Sequence, residues 1–132
     1  MMLIPQQAEA DSLRYYVNKT RPEDLVLRLY SNDVTPTEED TSATFTEGNH
    51  GGYAPKPLKG SNWSEPVQGS PSFITYPEQT FNFTGPSGRY YGYYMTRAIS
   101  GKLAGAGRFE DGPYTIQSAS HSVKVTPTIS CH

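Results

Sequence analysis

The 132-residue chain reads as a mainly β protein: an antiparallel β-sandwich, jelly-roll-like, with one short N-terminal helix. Three observations predict this. Turn formers are abundant, with 12 Gly and 11 Pro breaking the chain into short pieces. Aromatic residues reach 12% while charged residues are only 18%, and Thr, Tyr, Val and Phe suit half-buried pleated strands. The hydrophobic period changes once, near Arg21, from helical to alternating. That change divides the chain into an N-terminal arm with a short helix, residues 1–20, and a sandwich domain, residues 21–132. No βαβ alternation, heptad or internal repeat is present.

The elements follow in order. Gln6 to Asn18 holds no Gly or Pro, and Leu13, Tyr16 and Val17 recur at i, i+3 and i+4, which predicts a helix. Pro5 suits its first turn, and Asn18 with Arg21-Pro22 ends it. A helix this short is marginal alone, so it is expected to dock by that apolar stripe on its own sheet or on a neighbour. Asp24–Tyr30 is a strand with Leu25, Leu27 and Leu29 on one face. Residues 33–52 are polar and read as a surface loop, with room for a short strand at Ala43–Thr46. Tyr53–Leu58 is broken by prolines and is at best an edge strand. Short strands follow at Ser72–Tyr76 and Thr80–Thr84. Gly85-Pro86-Ser87-Gly88 then turns, as a hairpin, into the next strand. Leu103–Phe109 returns, Asp111-Gly112-Pro113 turns, and Tyr114–Ser118 and Ser122–Val125 close the domain with Val123 and Val125 inward.

The strand after the hairpin turn is the most informative. Arg89–Arg97 carries four tyrosines around a lone Gly92. Alternation places Tyr90 and Tyr94 on one face and Tyr91 and Tyr93 on the other, so one pair should be core. The other pair would present amphipathic rings that bury well against a partner. The candidate protein-interface residues are therefore Tyr53, Trp63, Tyr90, Tyr91, Tyr93, Tyr94 and Arg97.

Composition narrows the function. A net charge of −2 argues against nucleic acid as the partner, because phosphate binding needs a basic face. The N-terminus lacks the basic and apolar regions of a signal peptide, and no apolar stretch approaches the length of a membrane span. The expectation is a protein made in a cytoplasm, with no membrane partner. The single Cys131 cannot form an internal disulfide. His50, His121 and His132 lack metal-ligand spacing, no G-x-S-x-G or phosphate loop occurs, and Cys131-His132 is a tail pair. The expectation is no enzyme, no cofactor and no metal. Sequons at Asn18, Asn62 and Asn82 are of the number that chance supplies in a chain so rich in Ser and Thr.

One ordered set of motifs is distinctive. Leu27-Arg28-Leu29-Tyr30-Ser31-Asn32-Asp33-Val34-Thr35-Pro36 precedes Thr46-Glu47-Gly48-Asn49-His50-Gly51-Gly52-Tyr53, then Leu58, Gly60 and Trp63, then Tyr91-Gly92-Tyr93-Tyr94. This order resembles a group of small structural proteins of tailed bacteriophages and prophages, over most of residues 24–110. Ser31-Asn32-Asp33 stands where that pattern has a double asparagine. The resemblance implies a virion component made in the host cytoplasm. The main expectation is a capsid decoration (cement) protein that binds the major capsid protein and copies of itself as a homotrimer. The alternative is a tail, baseplate or fibre-associated module that binds a receptor or glycan. It implies no catalytic residues.

Overall fold

The computed structural model describes residues 2–131; His132 and the side chain of Cys131 lie outside the described part. The protein is mainly β with one short N-terminal helix. Helix α1 spans Gln6–Tyr16. Ten strands follow: β1 Leu25–Tyr30, β2 Lys56–Leu58, β3 Ser72–Thr75, β4 Gln79–Asn82, β5 Gly88–Tyr90, β6 Gly92–Arg97, β7 Leu103–Arg108, β8 Tyr114–Ile116, β9 Ser122–Val125 and β10 Thr128–Cys131.

All strand pairs are antiparallel. One four-stranded sheet has the order β2-β1-β6-β7, and three two-stranded ribbons pair β3 with β10, β4 with β9, and β5 with β8. The register sets Leu27 opposite Met95 and Leu29 opposite Tyr93, so one sheet face is apolar. The three ribbons cover that face. Their Phe81, Tyr90, Ile116, Val123 and Val125 join Leu27, Leu29, Leu58 and Met95 in the main core. This is the sandwich the alternation predicts, with one layer built from ribbons instead of a continuous sheet. A smaller core lies on the opposite face, where Tyr30, Tyr94, Leu103 and Ala106 meet Phe45 from the 33–52 loop.

Four expectations are corrected. The Gly85–Gly88 turn does not make a hairpin: β4 pairs with β9, and β5 pairs with β8. Ala43–Thr46 is not a strand. Ser42–Thr44 forms a 3₁₀ turn that drives Phe45 into the smaller core, and only Glu47 makes a bridge, to Tyr30. A closing strand, β10, continues past Val125 after Pro127. The tyrosine run is also not one strand. Tyr91 breaks it between β5 and β6, and its N–H donates to the Tyr30 carbonyl (2.9 Å). Gly92 permits this closeness, because a Cβ there would collide with the Gly107 carbonyl and the Tyr30 ring.

Helix α1 forms where the period predicts it. Asn18 ends it in the left-handed region (φ 58°), with Asn18 N–H on the Tyr15 carbonyl (3.0 Å) and Lys19 N–H on the Arg14 carbonyl (2.8 Å). The docked face is not the expected one. Ala8 and Asp11 are buried, while Leu13, Tyr16 and Val17 point outward. Polar anchoring decides the roll of the helix. Asp11 reaches the buried Arg97, and Gln7 Oε1 accepts the Leu103 N–H (3.1 Å). Residues ahead of the helix are held too, by reciprocal backbone bonds between Leu3 and Ala106 (2.6 and 3.0 Å).

Burial shifts the phenols that fill these cores. Burial pushes Tyr30 and Tyr94 up to about 12, from an ordinary value of 10.0. Burial raises Tyr53 as well, and the Glu47 carboxylate beside its hydroxyl adds to the rise. A phenol with a raised folded-state pKa favours the fold while neutral. That contribution is complete below the ordinary tyrosine range and is lost as pH climbs through the folded value. We expect alkaline unfolding between about pH 10 and 12, with phenolate absorbance lagging behind that of the unfolded chain until the fold gives way. Simultaneous titration of all ten tyrosines in the still-folded protein would contradict this.

Candidate interaction surface

The motif residues of the 27–53 region are first a loop-fastening device. Arg28 Nη1 donates to both carboxylate oxygens of Glu47 (2.9 Å each). Leu29 N–H donates to the Tyr53 hydroxyl (3.0 Å), which donates to Glu47 Oε2 (2.8 Å). Asn32 uses both ends of its amide, donating to the Thr44 carbonyl (2.9 Å) and accepting the Thr46 N–H (2.8 Å). Asp33 pairs with Arg108 (2.7 Å), and Arg108 also donates to the Val34 carbonyl (3.1 Å). Each of these bonds ties the polar loop to the sheet.

The seven candidate contact residues divide into internal and partly exposed groups. Tyr90, Tyr94 and Arg97 are buried within the chain and are corrected to internal roles. Tyr90 stacks on Phe83 (5.8 Å) and Tyr53 (6.0 Å) in the main core, and its hydroxyl meets that of Ser87 (2.5 Å). Tyr94 stacks on Phe45 (4.9 Å) in the smaller core. Both are buried, but on opposite faces of the sheet and not on the shared face that alternation predicts, because the break at Tyr91 resets the pleat. Arg97 is covered by α1: its Nε donates to Asp11 Oδ2 (3.1 Å), and its guanidinium lies 4.8 Å from the Tyr15 ring centroid.

Tyr53, Trp63, Tyr91 and Tyr93 are half-buried. Tyr53 is fixed from both sides, by Phe81 and Tyr90. Tyr93 tilts against Phe109 (6.0 Å), and Arg108 lies over Tyr91 (5.4 Å). Trp63 stands edge-on to Tyr76 (5.1 Å) and faces an apolar surface groove.

That groove, about 830 Å³, runs between α1 and the β3–β10 ribbon. Ile4, Leu13, Leu25, Trp63, Ile74 and Ile129 give it apolar walls, with Arg97 at its side. Of the candidate residues it brings together only Trp63 and Arg97. Ile99, 88% exposed in the β6–β7 turn, was not anticipated. Of the two partners the sequence leaves for the Leu13, Tyr16 and Val17 stripe, its own sheet is excluded, since these side chains point outward. The signal for them was present but ambiguous, since an apolar stripe on a helix shows that something is covered without showing what covers it.

Neither remaining described histidine stands in a catalytic or ligating cluster. His121 Nδ1 accepts the Gln117 N–H (3.1 Å), and the His50 carbonyl accepts the Ser87 hydroxyl (2.6 Å). Among the described residues no three His, Cys, Asp or Glu side chains gather as a metal site would need. Among them also, no helix is long and apolar enough to cross a membrane. The site is thus an apolar and aromatic surface with charged borders. Such a surface can bury rings and pair charges. The chain matches no protein-family model, no curated protein and no solved structure.

Proposed function

We propose that this chain is a non-enzymatic structural protein of a bacteriophage virion: a capsid decoration protein that binds the major capsid protein and stabilises the head as an oligomer, most simply a trimer. The observation that carries the proposal is the open apolar groove beside the outward Leu13, Tyr16 and Val17. A monomer gains nothing by exposing such a surface, whereas tyrosine, tryptophan and arginine with depleted charge are what binding interfaces concentrate. The order of motifs from Leu27 to Tyr94 supports the virion setting. The second reading, a tail, baseplate or fibre module, rests on the same rings, since half-buried tyrosine and tryptophan also suit a glycan.

Copy number separates the two. Quantitative mass spectrometry of particles from the phage that encodes the chain should find it at hundreds of copies per head. A few copies would transfer it to the tail, and its absence from purified particles would end the virion proposal. Symmetric shells make the first outcome distinctive, because each of many equivalent positions takes a copy.

A further inference from the structure

The exposed large apolar side chains are not spread evenly. Leu13, Tyr16 and Val17 are 71%, 89% and 68% exposed, and all lie at the C-terminal end of α1. Ile99, 88% exposed, sits in the β6–β7 turn, which is tied to the segment after α1 because Glu23 accepts the N–H groups of both Ile99 and Ser100 (2.8 Å each). Ser100 and Glu23 share a small surface pocket, about 170 Å³, with Arg14, Thr20, Arg21 and Lys102.

Charge is gathered in the same place. The Asp11 carboxylate is shared by Arg97 (3.1 Å), Arg14 (2.9 Å) and Lys102 (3.9 Å). Lys19 and Arg21 make no ion pair among the described residues. Arg14, Lys19, Arg21, Arg97 and Lys102 are five of the chain's 11 cations; Asp11 pairs with three of them, Glu23 shares the small pocket with Arg14, Arg21 and Lys102, and Glu9, Glu23 and Asp24 line the neighbouring groove with Arg97. The exposed Lys19 and Arg21, unpaired among the described residues, give the C-terminal end of α1 a basic edge on a chain whose net charge is −2.

The acidic counterpart lies at the other end of the same helix. Asp40 accepts the N–H and hydroxyl of Thr37 (2.7 and 3.0 Å), making a tight turn that leaves Glu38 and Glu39 exposed and outside any ion pair among the described residues. The Gln6 N–H donates to the Glu38 carbonyl (3.0 Å), which anchors the turn at the helix N-terminus. Eleven helical residues, about 16 Å at 1.5 Å each, separate the two ends, so they cannot pair within one molecule.

We propose that this surface docks a second copy of the chain: the Glu38-Glu39 turn of one copy seats on the basic surface around Lys19 and Arg21 of another, burying Tyr16 and Leu13 at the contact. A bland account of the charges exists, since acids near a helix N-terminus and bases near its C-terminus complement the helix dipole. That account leaves Leu13, Tyr16 and Val17 exposed at the same helix end without a reason. Docking gives them one, because a buried aromatic rimmed by complementary charge is how interface energy is usually concentrated. Two different patches meet, so the contact is heterologous, the kind that makes a trimer where its rotation closes into a ring. The inference deepens the oligomer proposed above, but its test needs no particles and can fail while the virion reading stands.

Sedimentation of the purified full chain over a range of concentration and salt is the test. The wild type should self-associate, and less so as salt rises. E38K/E39K and K19E/R21E should each weaken association about tenfold or more, and an equimolar mixture of the two should regain it. All four positions are exposed and unpaired, so circular dichroism and melting should match the wild type; should a reversal unfold the chain, Tyr16→Ser must show the same weakening. A wild type that is monomeric at every concentration would overturn the proposal. So would reversals that change nothing, or a mixture that stays dissociated.

Discussion

Replacing Asp11 with alanine should destabilise the protein by about 3–5 kcal/mol, because it strands a buried guanidinium without its partner. The side chains of Asp11 and Arg97 are only 7% and 9% exposed and meet at 3.1 Å. Among the described residues Arg97 has no second carboxylate within pairing distance, so removing Asp11 leaves its charge against the Tyr15 ring without a paired acid. Against a total stability of about 5–15 kcal/mol for a domain, that loss is large. The melting temperature should fall by about 10 °C or more. The control is the double replacement D11L/R97M, which removes both charges and keeps apolar bulk. Apolar substitution of a whole buried pair is often neutral, so the double variant should recover most of the loss. Equal damage from the single and double variants would mean that packing, not charge pairing, holds α1 on the sheet. An unchanged melting temperature for D11A would mean that the ion pair contributes nothing.

The same ion pair marks where sequence reading stops. The helix was legible, with its start at Pro5 and its stop at Asn18, because period and capping are local. Its roll was not. An apolar stripe at Leu13, Tyr16 and Val17 predicts the docked face by hydrophobic burial. The observed face is chosen by Asp11 and Gln7 reaching residues about 90 positions away. Strand β1 was legible for the opposite reason: Leu25, Leu27 and Leu29 all face one core, so the pattern and the contact agree. The Gly85–Gly88 turn is an intermediate case. Its residues state that the chain changes direction. They do not state that β4 will pair with β9, some 40 residues on, which is a matter of tertiary layering.

The position of the candidate surface was only partly legible in the sequence. Tyrosine abundance with little charge pointed to a contact protein, and Trp63 does face the open groove. Yet the densest aromatic run is mostly spent inside. The motif residues Arg28, Asn32, Asp33, Glu47 and Tyr53 turn out to bind the 33–52 loop to the sheet. A run of motifs can therefore identify a fold's internal fasteners while leaving its outer surface unmarked. The outer surface here is written in isolated residues, Tyr16 and Ile99 among them, whose exposure only three-dimensional packing reveals.

The tyrosine run offers the sharpest test of that division. Tyr90 is fully buried, stacked between Phe83 and Tyr53, and its ring fills the space against Gly48, where any Cβ would collide with it. Tyr90→Ala should therefore cost about 3–5 kcal/mol, the range of large aromatic truncations in a core. Tyr94→Ala should cost a similar amount, since it opens the smaller core between Phe45 and Tyr30. Tyr91→Ala should cost only about 1 kcal/mol, the worth of a half-exposed ring under the Arg108 guanidinium. Tyr90→Phe separates ring from hydroxyl. Ser87 keeps the His50 carbonyl as a partner, so losing the phenol oxygen should cost about 1 kcal/mol and leave the ring's share intact. Chemical denaturation of the four variants reads these differences directly. If Tyr91→Ala proved as damaging as Tyr90→Ala, the chain could not be breaking its pleat at Tyr91. The run would then be one continuous strand buried on both faces, with Tyr91 as much a core residue as Tyr90.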